Sequence, residues 1–161
     1  MATRDISIWT KIRRSAGLIR DFVAVAGPEV WRLRGIAALQ YSGGLVDAFY
    51  HPAKRHSKTE EQFLQKVACF GARVMDRMLP REGIDQVNIW AEGRRHDEGV
   101  WIGVRLILDK KGRLDAGVSS LSDLAAVDPQ RYFELCSLEW VDESAMPEWP
   151  STYQGYTQGG G

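Results

Sequence analysis

The sequence predicts an α+β fold: an N-terminal helical segment, then a long helix packed on a three-stranded antiparallel meander, followed by a short helix. Apolar residues alternate with a period of two over 86–119 and recur with helical spacing over 57–79. The first spacing is typical of half-buried strands and the second of an amphipathic helix. With 161 residues, of which 44% are hydrophobic and 26% charged, the chain is long enough for one buried core.

Residues 1–56 are predicted to form a basic helical segment. A first amphipathic helix is expected over 5–26 and a second over 29–41, with Gly27-Pro28 between them. Gly43-Gly44 should end the second helix, and 45–50 should add only a short turn. This segment carries nine Lys/Arg against four Asp/Glu, and the rest of the chain twelve against seventeen. Opposite charges favour docking within the chain or head-to-tail self-association.

A polar hinge over 51–56 marks the expected boundary before an α+β unit over 57–141. Ser57-Lys58-Thr59-Glu60 matches a capping box, and Leu79-Pro80 should end the helix that begins there. The apolar stripe of this helix consists of Phe63, Val67, Phe70, Val74 and Met78. Burying each large side chain contributes roughly 1.5–3 kcal/mol, so packing of this helix on the meander should be the main stabilising contact.

Three alternating runs, over 86–92, 100–108 and 114–118, predict the strands of the meander. Residues 109–112, Asp-Lys-Lys-Gly, match a type I turn followed by a left-handed glycine. This turn would place Leu108 opposite Leu114. The charged turn over 93–99 does not fix the register between the first and second predicted strands. One pairing sets Trp90 opposite Trp101.

The C-terminal part is predicted to contain a turn over 122–127, a short helix and a tail. Asp128-Pro129 is a favourable helix start, and the helix should end near Trp140. The segment 142–161, rich in aromatic residues and glycine, is expected to be a flexible tail. An alternative is that its aromatic residues dock on a neighbouring molecule.

The outer face of the meander and its charged loop form the predicted partner-binding site. The residues assigned to it are Trp90, Trp101, Arg105, Arg94, Arg95, Asp97 and Glu98. Tryptophan and arginine are enriched at the energetic centres of protein interfaces. The alternative is that the N-terminal helices cover this face and make its tryptophans part of the core.

No catalytic, cofactor or metal site is predicted. Cys69 and Cys136 lie among apolar residues and should be buried free thiols in a reducing compartment. The three histidines fall in predicted loops without the spacing of metal ligands. The run from Asp85 to Glu92-Gly93-Arg94 is similar to the acid and Glu-x-Lys pattern of restriction-type nucleases, in which acids bind Mg²⁺, but Arg94 stands where that pattern has lysine.

These features favour a non-catalytic protein-binding module that acts as an inhibitor, immunity or adaptor protein and needs no cofactor. The layout over 57–140 is similar to that of small bacterial immunity and adaptor proteins. Opposite charges and the aromatic tail favour, as alternatives, an assembly component of a phage particle or secretion machine; a metal-dependent nuclease is the second alternative. The expected partner is another protein rather than nucleic acid. No run approaches the roughly 18 apolar residues of a membrane span, and the N-terminus has no signal-peptide core, which predicts a cytoplasmic location.

Overall fold

A computed structural model describes residues 17, 20, 37–52, 59–92 and 102–142. The fold is α+β, with helices on one face of a five-stranded mixed sheet. The strands are β1 (Ala37–Ser42), β2 (Leu45–Tyr50), β3 (Gln86–Ala91), β4 (Ile102–Asp109) and β5 (Ser137–Asp142). The helices with defined bounds are α1 (Glu60–Met78), α2 (Lys110–Asp115), α3 (Leu121–Val127) and α4 (Pro129–Leu135). The strands lie in chain order across the sheet, with β2 and β3 parallel and the other pairs antiparallel.

The strands β1 and β2 form a tight hairpin around Gly43-Gly44, where Ser42 pairs with Leu45. The φ angles of the two glycines are 55° and 91°. A type I′ turn needs positive φ at both central residues, which glycine adopts without steric cost. The predicted helix over 29–41 is therefore wrong from residue 37 onward, and 45–50 is a strand rather than a short turn. A run that is apolar on several sides fits a buried strand as well as a buried helix.

The helix α1 connects the parallel strands β2 and β3 and supplies the centre of the core. Its predicted apolar stripe is buried throughout, which confirms that prediction. Phe70 stacks on Tyr50 of β2, with ring centroids 4.1 Å apart and planes 5° from parallel. The helix ends at Met78 as expected but starts two residues later than expected, because Thr59 rather than Ser57 caps it. The Thr59 hydroxyl accepts a hydrogen bond from the Gln62 N–H over 3.1 Å.

The side of the sheet that faces the helices is apolar and buried. Buried there are Leu39, Val46, Ala48, Tyr50, Val87, Ile89, Ala91, Val104, Leu106 and Leu108. Gly71 on α1 permits the close approach of α4, because a Cβ at this position would lie 2.7 Å from the Tyr132 hydroxyl oxygen. The helices and strands therefore share one continuous core.

The third predicted strand of the meander does not form. The Asp109 carboxylate accepts a hydrogen bond from the Gly112 N–H over 2.6 Å and begins α2 instead. Leu114, expected to face inward opposite Leu108, is 80% exposed. The central residues of a type I turn have right-handed helical dihedrals, so the same four residues fit a hairpin or a helix start. The strand β5 occupies the edge of β4 that the third strand would have used.

The helices α3 and α4 occupy the region predicted as a turn and a short helix. Asp128 caps α4 with Pro129 in its first turn, which confirms the predicted start. This helix ends at Leu135, however, and the following residues form β5 rather than continuing as a helix to Trp140. The predicted tail beyond Asp142 lies outside the described residues.

A carboxylate of α1 holds the first turn of α3. Asp76 accepts hydrogen bonds from the N–H groups of Leu121 and Ser122 over 3.0 and 2.9 Å, and from the Ser122 hydroxyl over 2.9 Å. Arg113 of α2 lies 3.6 Å from the same carboxylate. Amide groups in the first turn of a helix lack partners within the helix, so Asp76 satisfies them and ties three helices together.

The predicted first helix lies outside the described residues except for Gly17 and Arg20, which are helical. The Gly17 carbonyl accepts a hydrogen bond of 3.4 Å from Nη1 of Arg81, in the loop after α1. Of the hinge predicted over 51–56, residues 53–56 also lie outside the described residues. The strands β1 and β2, which precede this hinge, belong to the same sheet as the strands that follow it.

Candidate functional site

The face of the sheet turned away from the helices carries a row of large side chains, one from each of four adjacent strands. Phe49 of β2 pairs with Trp90 of β3, Trp90 with Arg105 of β4, and Arg105 with Glu139 of β5. Because side chains alternate between the two faces of a strand, these four residues lie on the face opposite the core. We call these four residues the outer row.

Asp47 of β2 fixes the position of the Trp90 ring. Its Oδ1 accepts a hydrogen bond from the Trp90 indole N–H over 2.9 Å and a second from the Asn88 amide over 3.1 Å. The Gln86 amide in turn donates to Oδ1 of Asn88 over 2.9 Å. This chain of hydrogen bonds runs along the same face and restricts the rotation of the indole.

Arg105 covers the other side of the tryptophan. The central carbon of its guanidinium lies 5.3 Å from the centroid of the Trp90 ring, a cation–π distance. The same guanidinium forms an ion pair with Glu139. The arginine is therefore held by a ring on one strand and a carboxylate on another, which fixes the position of its guanidinium.

Exposure increases along the outer row from β2 towards β5. Phe49 is 1% exposed and Trp90 is half-buried. The Arg105 side chain is 31% exposed and that of Glu139 50%. The face is therefore buried at Phe49 of β2 and more open at β4 and β5.

A second pair of ionisable side chains lies just beyond the carboxyl ends of the two parallel strands. Nδ1 of His51, after β2, is 3.1 Å from Oε2 of Glu92, after β3, although the groups are not aligned for a hydrogen bond. The Glu92 N–H donates to the Tyr50 carbonyl over 2.9 Å and holds the two chain segments together. Carboxyl ends of parallel strands are frequent locations of ligand sites in α/β proteins.

Two of the seven predicted partner-binding residues, Trp90 and Arg105, are described, and they lie together. The other five lie in 93–101, outside the described residues. The predicted pairing of Trp90 with Trp101 is wrong, because Trp90 pairs with Arg105. The same register pairs Gln86 with Asp109 at the other end of the two strands.

The sequence interpretation missed Asp47, Asn88 and Glu139. Asp47 and Glu139 belong to segments that were assigned to a turn and to a helix, so their positions on the sheet were not visible. A usable signal was the single carboxylate at Asp47 in an otherwise apolar six-residue run. A charge inside a half-buried strand generally needs a partner on a neighbouring strand.

The nuclease-like pattern does not assemble in this fold. Asp85 directly precedes β3 and Glu92 directly follows it, so at about 3.3 Å per residue these carboxylates lie on the order of 20 Å apart. Two acids at that separation do not share a metal ion. Within 37–52, 59–92 and 102–142, no group of three or more His, Cys, Asp or Glu side chains is arranged to hold a metal.

The two cysteines are free, as expected. Cys136 is buried, whereas Cys69 is only half-buried, so the prediction of two buried thiols is right for one of them. Burial raises the pKa of Cys136 to about 12, and its Sγ lies 3.7 Å from the Met75 sulfur. The Tyr132 hydroxyl also donates to this sulfur, over 3.2 Å, and burial raises the pKa of Tyr132. This cluster is a packed part of the core with a thiol that stays protonated.

The chain matches no model of a known protein family, and comparisons with curated proteins and with solved structures give no significant match. In the part of the chain that the structure describes, no helix is both long and apolar enough to cross a membrane.

Proposed function

We propose that the protein is a non-catalytic protein-binding module, of the inhibitor, immunity or adaptor kind, that docks a partner on the open end of the outer row. The observation that carries this proposal is the fixed Trp90–Arg105 pair. Its indole is bonded to Asp47 and its guanidinium is paired with Glu139. The charged segment 93–99, between β3 and β4 in the chain, is predicted from its sequence to belong to the same site.

The preorganisation of this pair favours binding. Long side chains such as arginine lose roughly 0.5–1.5 kcal/mol of conformational freedom each when an interface immobilises them. Arg105 is already held by a ring and a carboxylate, so much of that cost is absent when a partner docks. Tryptophan and arginine are also the residue types that most often dominate interface energies.

The increase in exposure along the outer row also favours its open end as the docking region. A docking site needs apolar area that a partner can cover, together with polar groups that fix orientation. Trp90 is half-buried and Arg105 31% exposed in its side chain, so both are accessible in part. Phe49, at 1% exposure, is unavailable to a partner.

The test is affinity capture from the native host with three immobilised full-length proteins: wild type, Arg105→Ala and Arg131→Ala. Arg131 is an exposed arginine on α4, on the helical side of the sheet, and serves as the matched control. We expect one stoichiometric partner that wild type and Arg131→Ala retain equally. Arg105→Ala should retain it at least about tenfold less, which corresponds to roughly 1.4 kcal/mol.

Other outcomes would point to the alternatives. Retention of the partner by Arg105→Ala would remove the outer row from the interface. Self-association that rises with concentration and is lost on deletion of 142–161 would favour an assembly component. Divalent-metal-dependent cleavage of DNA or RNA that Glu92→Gln abolishes would favour a nuclease.

A further inference from the structure

A groove opens on the helical side of the molecule, between the first turns of α1 and the corner where α3 meets α4. Its volume is about 460 Å³, which lies within the range of sites for peptides and small ligands. It is bordered by α1 residues such as Leu64 and by α3 and α4 residues such as Val127 and Phe133. Because the helices cover the opposite side of the sheet, this groove is separate from the outer row.

The groove has an apolar surface that a side chain can cover. Phe133 is 8% exposed and Leu64 packs against the core, so both form a firm support. Val127, at the end of α3, is 86% exposed and stands at the edge. A single exposed valine is ordinary on a protein surface, but this one borders the groove, so a side chain bound there can cover it.

Among the described residues that line the groove, the charged groups are acidic and none is a lysine or arginine. Glu61 projects from the first turn of α1, and Asp128 joins α3 to α4. Asp128 accepts a hydrogen bond from the Arg131 N–H over 3.2 Å, so its position is fixed by the cap of α4. The amide of Gln130 also borders the groove and can both donate to and accept from a peptide backbone.

We propose that this groove binds a peptide segment of a partner protein in which a lysine or arginine lies beside an aliphatic side chain. The cation is attracted by Glu61 and Asp128, and the aliphatic group covers Val127 and Leu64. Complementary charge directs the choice of peptide, while the apolar contact supplies the buried area. A chain with this groove and the outer row has two separate binding surfaces, as an adaptor requires.

The test selects peptides from a random heptapeptide phage library on full-length protein and measures the affinity of a synthetic consensus peptide by calorimetry. We expect the selected peptides to carry Lys or Arg next to Leu, Ile, Val or Met. The affinity should fall at least tenfold for Val127→Glu and at least threefold for Glu61→Gln. Leu114→Glu, the same type of change at an 80% exposed position on α2, should leave it unchanged.

The proposal fails if no peptide is selected, if acidic or purely apolar peptides dominate, or if Val127→Glu binds the consensus peptide as well as wild type does. Equal thermal unfolding temperatures of the variants establish that they fold. Glu61→Gln supplies a second readout because Glu61 is exposed, so its replacement does not disturb the core. The result is independent of the outer row, since Arg105→Ala should bind the consensus peptide normally.

Discussion

The two faces of the sheet consist of alternate residues of the same strands and yet differ in burial and in polarity. On the helix side, Val87, Ile89, Val104 and Leu106 are fully buried beneath α1 and α4. On the other side, Asn88, Trp90 and Arg105 alternate with them and form a network of hydrogen bonds and an ion pair. A single-residue shift in register would exchange these two surfaces.

The difference separates the contacts that stabilise the fold from those that position particular side chains. Apolar burial is non-directional and supplies most of the free energy of folding, which is the role of the helix side. Hydrogen bonds and partly exposed ion pairs contribute less to folding but fix the orientation of particular side chains. Substitutions on the helix side should therefore lower the free energy of unfolding, and substitutions on the outer side should alter local structure and binding.

The largest effect is expected from Phe70→Ala on α1. The ring is fully buried and stacked on Tyr50, and removing it leaves a cavity between α1 and β2. The free energy of unfolding should fall by about 3–5 kcal/mol. Urea denaturation measures this change, with Arg73→Ala, an exposed position on the same helix, as a control that should stay within about 0.5 kcal/mol. A loss below 1 kcal/mol for Phe70→Ala would contradict the position of the core.

Asp76→Ala should lower the free energy of unfolding by about 3 kcal/mol. The variant leaves the first N–H groups of α3 without their acceptor and removes the charge opposite Arg113. Urea denaturation together with amide hydrogen exchange at Leu121 and Ser122 measures it. Asp76→Asn, which keeps one oxygen acceptor, should recover part of the loss. Equal losses in the two variants would show that hydrogen bonding to α3 is not the cause.

The buried thiol should make the helix side sensitive to alkaline pH. Burial raises the pKa of Cys136 from its ordinary value of 9.0 to about 12. Between pH 9 and 12 the unfolded chain therefore loses this proton while the folded chain keeps it, and the free energy of unfolding falls by about 1.4 kcal/mol per pH unit for this group. Tyr132, whose pKa is also raised, steepens the decline at higher pH.

Urea midpoints at pH 8, 9 and 10 measure this dependence. The variant Cys136→Ala should lose less stability than wild type between pH 9 and 10, even though its stability at pH 8 is lower. Parallel pH profiles of the two proteins would show that the thiol ionises normally in the folded state.

On the outer side, Asp47→Ala should release the Trp90 indole. The expected loss of stability is about 1–2 kcal/mol, because the indole N–H and the Asn88 amide lose a charged acceptor. The indole N–H proton resonance, assigned with Trp90→Phe, should move towards the position of a solvent-exposed indole and exchange faster with water. Asp47→Asn should restore much of the protection. An unchanged resonance in Asp47→Ala would mean that this carboxylate does not position the ring.

The smallest effect on folding is expected from Arg105→Ala. Its ion pair with Glu139 and its contact with Trp90 are partly exposed, and such interactions contribute up to about 1 kcal/mol. A double-mutant cycle with Glu139→Ala measures their coupling. A loss above 2 kcal/mol would mean that this side of the sheet stabilises the fold as the helix side does, and the contrast between the faces would disappear.

Local patterns were sufficient for α1 and for the start of α4. The spacing of Phe63, Val67 and Phe70 is set within one helix, so no distant residue is needed to interpret it. Asp128-Pro129 likewise specifies a cap and a first turn through its own side chains. The hairpin at Gly43-Gly44 was also encoded locally, since two glycines between runs of strand length match a type I′ turn.

The pairing of strands, in contrast, was decided by tertiary contacts. The residues after β4 fit a hairpin or a helix start equally well, and β5, almost thirty residues further on, takes the edge of β4 that a hairpin would have used. The register of these strands then brings Asp47, Trp90, Arg105 and Glu139 together on one face of the sheet. The sequence by itself determined which residues form the central helix, and it predicted Trp90 and Arg105 as partner-binding residues. Only the tertiary structure decided that they meet, because hydrogen bonding between distant strands and the burial of their shared face select one register among several.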